Sequence, residues 1–123
     1  MLNENSGVTE KSVDFYKKNI DKIGAVIGIA CDARTGEKAN LYIFGSRDAM
    51  RLTGCSCGYG GEGPHGTAKI LQTLGIAEEE AEKIIYESFF IIPSHIAITN
   101  KKERLINELD AWFDHDYREE DNK

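Results

Sequence analysis

The chain has 123 residues, near the commonest size for one domain and too short for two ordinary ones. Its 41% hydrophobic and 29% charged residues describe a globular chain able to build one core. A net charge of −6 argues against duplex nucleic acid as a partner, because that binding rests on Lys and Arg neutralising phosphates.

The longest apolar runs, AVIGIAC at 25–31 and FFII at 89–92, fall far short of the ~20 residues a membrane-spanning helix requires, so no membrane segment is expected. The start, MLNENSGVTEK, lacks the basic and then apolar pattern of a secretory signal. Cys31, Cys55 and Cys57 cannot all pair within one chain. Reduced thiols in a cytoplasm are the expectation.

In chain order, 1–8 reads as a flexible lead. Over 9–22, Val13, Phe15, Tyr16 and Ile20 fall on one helical stripe with Thr9 placed to cap it. IGAVIGIACD then reads as a buried strand, ARTG as a turn and EKANLYIFG as a second strand, giving an antiparallel hairpin. Ser46 is placed to cap a short helix, RDAMRLT, which Gly54 would stop in the left-handed conformation.

A glycine-rich loop follows, and Pro64 marks the start of a helix that Gly75 closes. Ala77, Ala81, Ile84, Ile85, Ser88, Phe89 and Ile92 recur at helical spacing, so another helix is predicted to about Phe90, with Pro93 ending it. IAIT at 96–99 reads as a short strand. Asn100 and Glu103 form a capping-box-like start for a last helix over 101–117, on which adjacent Trp112 and Phe113 divide between faces and leave one for a subunit contact. Residues 117–123 read as a solvated, flexible charge run. The expected fold is a single α+β domain, 1–123, with a small antiparallel sheet of about three strands covered by four or five helices.

The segment TGCSCGYGGEGPHGTA, 53–68, carries the chemistry. Its glycines let backbone N–H groups converge, and the helix start behind them adds free donors and a partial positive charge, a combination suited to phosphate. Gly60, Gly61, Gly63 and Gly66 are the expected cradle. His65, Thr67 and Lys69 would contact phosphate oxygens, Arg47 and Arg51, one helical turn apart, would neutralise charge, and Tyr59 would stack or form a lid.

No P-loop string is present, and GYGGEG matches GxGxxG only through Gly58, Gly60 and Gly63, without an opening βαβ unit. Glu62 is the residue that most tests a phosphate site. Three alternatives stay open: zinc held by Cys31, Cys55, Cys57 and His65, for which a CxC spacing is poor; a Cys55 or Cys57 nucleophile with His65 or His95 as base; and an interaction or structural module in which the glycine loop only packs.

At GYGGEGPHGTAKIL the sequence resembles Gly-rich segments of small phage-encoded proteins that sequester nucleotide immune signals, cyclic ADP-ribose isomers among them, without hydrolysing them. The resemblance implies a noncatalytic cytoplasmic protein that holds a small phosphorylated molecule, in a homo-oligomer. It transfers no catalytic residue and no cofactor.

Overall fold

The computed structural model describes residues 1–34 and 39–93. Its elements in order are strand β1 (Leu2–Glu4), helix α1 (Thr9–Asn19) with a 3₁₀ turn (Ile20–Ile23), strands β2 (Val26–Asp32), β3 (Leu41–Gly45) and β4 (Ala49–Leu52), helices α2 (Glu62–Thr73) and α3 (Glu78–Ile84), and strand β5 (Phe89–Pro93). The five strands form one mixed sheet in the order β1-β4-β3-β2-β5, antiparallel except for the parallel β1–β4 pair. This corrects the expected sheet of about three antiparallel strands under four or five helices: the described residues hold five strands and three α-helices. The strand expected at 96–99, the helix at 101–117, His95 and the tail lie outside them.

Each difference has a local cause. The stretch read as the helix RDAMRLT is mostly strand β4. Met50 and Leu52 are both fully buried, a two-residue period that a helix would place on opposite sides. The Ser46 hydroxyl, expected to cap, instead accepts the Ala25 N–H at 3.0 Å. At the other end of the sheet, α3 stops at Ile84 because Tyr86 and Glu87 donate to carbonyls only three residues back. FFIIP then pairs with β2, from Asp32 opposite Phe89 to Gly28 opposite Pro93. Pro93 closes an edge strand, where its missing N–H costs no ladder bond. Leu2–Glu4, within the lead 1–8, forms the other edge.

The main core lies on one face of the sheet. Ile29 and Cys31 of β2, Leu41 and Ile43 of β3, Met50 and Leu52 of β4 and Phe90 of β5 meet Tyr16 of α1, Ile70 and Leu71 of α2 and Ala81 of α3. Burying each large aliphatic side chain contributes about 1.5–3 kcal/mol relative to exposure. The opposite face carries a smaller cluster, Ala30, Tyr42, Phe44 and Ala49, built from strand residues.

A carboxylate braces the junction between β1, α1 and the start of the glycine segment. Glu4, 7% exposed, receives Ser12 Oγ, the Ser6 N–H at 2.6 Å and Thr53 Oγ1 at 3.3 Å. Burial raises its pKa, but the hydrogen bonds from Ser12, Ser6 and Thr53 outweigh it and hold the carboxyl below its ordinary value. Ser12 Oγ in turn accepts the Gly54 N–H at 2.8 Å, and Thr9 Oγ1 donates to the Gly54 carbonyl at 2.7 Å rather than capping α1.

Candidate functional site

The glycine-rich segment divides at Gly58. Residues 53–57 run from the end of β4 across the main core: Gly54, Cys55, Ser56 and Cys57 are all buried. Gly54 is needed for close approach, not for a left-handed helix stop. A Cβ there would lie 2.4 Å from the carbonyl carbon and oxygen of Val8. Gly58, at φ +90, turns the chain outward, and its N–H donates to the Ile85 carbonyl at 2.7 Å.

From Gly58 to Gly60 the loop is exposed, and Gly61 forms the N-cap of α2. Having no side chain, Gly61 leaves the first-turn N–H groups of α2 without a side-chain cap. Two tyrosines stand beside this helix start. Tyr59 is 53% exposed and Tyr86, in the turn after α3, is 62% exposed. A Cβ on Gly60 would come within 2.9 Å of Tyr86 Oη, and one on Gly61 within 2.7 Å of the Tyr59 ring, so both rings lie against the glycine backbone. Tyr59 Oη and Ser56 Oγ share a hydrogen bond at 3.2 Å that ties the ring to the buried half of the segment. His65 is exposed on the first turns of α2, and its N–H donates to the Gly61 carbonyl at 3.0 Å. Glu62, also exposed, sits in the first helical turn, where the helix dipole favours a carboxylate.

Other expected site residues go elsewhere. Thr67 is fully buried and its hydroxyl donates to the Ser56 carbonyl at 2.7 Å and the Gly63 carbonyl at 3.3 Å. Gly66 is a packing position: a Cβ would meet Thr9 Cγ2 at 2.4 Å and Cys55 Sγ at 3.3 Å. Gly63 lies against Ser56 Oγ.

Lys69 is exposed two turns along α2 and lines a groove of about 410 Å³ between α1 and α2 with Val13, Tyr16 and Lys17. Arg47, in the β3–β4 turn, lies at the end of β4 away from the loop and donates to the Asp21 carbonyl at 3.2 Å. Arg51 lies within β4 opposite Tyr42, between the core residues Met50 and Leu52, so it projects to the other face of the sheet. The one-turn spacing that would have joined the two arginines vanishes with the helix. Arg34 packs 3.8 Å over the Phe89 ring and pairs with Asp32 at 3.0 Å.

The three cysteines are free and buried in the main core, while His65 is exposed. Cys31 is raised by its hydrogen bond with Cys57 and by burial, and Cys57 is lowered by the same bond. Burial and the nearby Glu4 carboxylate push the Cys55 thiol up to about 12. At neutral pH Cys55 is therefore a packed, protonated thiol. Among the described residues no three His, Cys, Asp or Glu side chains are grouped to hold a metal ion.

Tyr86 is the residue that sequence reasoning passed over. Ile85 is buried and Tyr86 beside it is exposed, and the turn after α3 brings that ring back to the loop through the Gly58–Ile85 bond. The chain matches no family model, and comparison with the curated proteins and with the solved structures finds no match. No helix among the described residues is long and apolar enough to cross a membrane.

Proposed function

We propose that the protein binds a small phosphorylated ligand, a nucleotide or ADP-ribose derivative, at the exposed loop 58–65 and does not transform it. The observation that carries this reading is the pair of exposed rings, Tyr59 and Tyr86, flanking the uncapped start of α2. Exposed tyrosine rings beside a glycine backbone suit stacking on a base, which contributes about 1–3 kcal/mol per base. Beside them, the N–H groups of Glu62 and Gly63 and the helix dipole favour a phosphate. His65 supplies an exposed ring donor one turn in. Glu62 must swing outward or bind ribose hydroxyls when phosphate enters.

The binding set is therefore Tyr59, Gly60, Gly61, Gly63 and His65, with Tyr86 added. Sequestration of a nucleotide immune signal, by a cytoplasmic homo-oligomer, is the setting that the resemblance of GYGGEGPHGTAKIL implies and belongs to the same proposal.

Thermal-shift and titration calorimetry against a panel of nucleotides and cyclic ADP-ribose isomers test it. A ligand at a hundred times its dissociation constant stabilises the folded state by about 2.7 kcal/mol. Tyr59→Ala combined with Tyr86→Ala should abolish that shift while leaving the unliganded melting temperature in place. Chromatographic recovery of the ligand unchanged supports binding without turnover, and silence across the whole panel defeats the proposal.

A further inference from the structure

Helices α1 and α2 lie against each other on the core face of the sheet and meet at two points. Near their starts Gly66 lets them close, since a Cβ there would press into Thr9 Cγ2 and meet Val13 Cγ2 at 3.6 Å. Near their ends Tyr16 Oη and Thr73 Oγ1 share a hydrogen bond at 2.7 Å. With Thr9 at Gly66 and Tyr16 at Thr73, the two helices run in the same direction. Past the close approach opens the groove of about 410 Å³, lined by Val13, Tyr16 and Lys17 of α1 and by Lys69, Ile70 and Thr73 of α2. That volume falls within the roughly 300–1,000 Å³ typical of small-molecule sites.

The floor and the rims of this groove differ in chemistry. Thr73 Oγ1 donates to the Ile70 carbonyl at 2.7 Å, so in its bond with Tyr16 the phenol is the donor. Both hydroxyl protons are used inside the wall, and neither is left for an anion. The floor therefore offers Val13, Ile70 and the Tyr16 ring to apolar atoms. On the rims, Lys17 and Lys69 are exposed, one from each helix, and neither ammonium forms an ion pair among the described residues. In a chain of net charge −6, two cations without acidic partners beside one apolar groove are complementary to a ligand with a negative head and an apolar body.

We propose that the α1–α2 groove is a second binding site, separate from loop 58–65, for a small amphiphilic carboxylate whose apolar body lies over Val13, Tyr16 and Ile70 and whose head is held by Lys17 and Lys69. The hydroxyl arrangement fixes which end goes where: a carboxylate on the floor would lose its water and find no donor, whereas at the rim it keeps solvent on one side and gains two ammonium groups. The four-carbon stems of the lysines extend the apolar walls while their charges stay in water. A cation of the same shape would meet two like charges, and a neutral alcohol would gain the floor without the rims.

Octanoate, octanol and octylammonium test this with one chain length and three heads. Titrated into the intact, methyl-labelled protein, octanoate is expected to shift the Val13 and Ile70 methyl resonances saturably, with octanol several-fold weaker and octylammonium weaker still. Lys17→Glu combined with Lys69→Glu changes only exposed side chains, so the melting temperature should stay in place while octanoate affinity falls about tenfold. Octylammonium or octanol binding as tightly as octanoate overturns the proposal. So does unchanged affinity in the double variant, or the absence of any shift at Val13 and Ile70.

Two further measurements separate the groove from other occupants and from the loop. Tyr59→Ala with Tyr86→Ala should leave octanoate affinity unchanged, and its loss in that variant places octanoate on the loop and overturns the second site. Val13 and Ile70 resonances that move on dilution without octanoate assign the groove to a second copy of the chain, which overturns it as well.

Discussion

The two halves of TGCSCGYGGEGPHGTA use the same residue type for opposite ends. In the buried half, Gly54 admits the Val8 backbone and is held by Ser12 and Thr9. In the exposed stretch, Gly60 and Gly61 lie beside two tyrosine rings that open to solvent. The same side-chain absence is a packing requirement where backbone closes on it and a way of baring a helix start where nothing does. A dense run of glycines therefore does not mark one site; Gly58 turns the chain from scaffold out to the surface, and Gly66 returns it to packing.

The sharpest way to break this division is to add one methyl group to each half. Gly54→Ala drives a Cβ against the Val8 carbonyl, and overpacking against backbone should cost about 3 kcal/mol, read as a melting temperature lowered by about 10 °C. Gly60→Ala meets the far end of the Tyr86 side chain, which can rotate away, and stability should change by no more than about 0.5 kcal/mol. Equal losses at the two positions would erase the distinction.

Next in size is Glu4→Gln, which removes the charge that organises Gly54 through Ser12. At pH 7 the cost should be about 2 kcal/mol. Because the folded pKa of Glu4 lies below its unfolded value, its contribution is complete above about pH 5 and is lost as pH falls through the folded pKa. Denaturant titrations of parent and variant should therefore converge toward acid. A gap that stays constant from pH 7 down to about pH 3 would remove the carboxylate from the account.

A smaller effect is expected for Thr67→Val. It deletes the buried bond to the Ser56 carbonyl that ties α2 to the buried half, and the loss in chemical denaturation should be about 1 kcal/mol. The smallest stability effect belongs to Tyr59→Ala. Its exposed ring leaves little to lose in the unliganded protein, within about 0.5 kcal/mol, so any large change should appear in ligand affinity alone.

Particular elements show how far sequence reasoning reached. Gly75, expected just past the end of α2, adopts φ +99 there and donates to the Gln72 carbonyl at 3.1 Å. Pro64, expected at the start of α2, lies two residues inside it, because Gly61 supplies the cap. The stretch AMRL failed as a helix because Ser46 before it is also a fair cap, and four residues are too few for a two-residue period to stand out. For the site, the helix start and Tyr59 were legible in GYGGEGPHG. Tyr86 was not, since its place beside Gly60 depends on the turn after α3 coming back to the loop through the Gly58–Ile85 bond.

By itself the sequence determined the local facts: one domain's worth of chain, a hairpin from β2 to β3, a helix opened near Pro64 and closed at Gly75, and a loop rich in residues without side chains. These follow from periodicity and from the backbone preferences of Gly and Pro, which act over a few residues. Only the tertiary structure decided that β1 and β5 complete the sheet, that Thr67 and Gly66 belong to packing, that Arg47 and Arg51 part company, and that two tyrosines meet at one helix start. Strand partners and close approaches lie tens of residues apart in the chain, and their identity is set by which faces bury together.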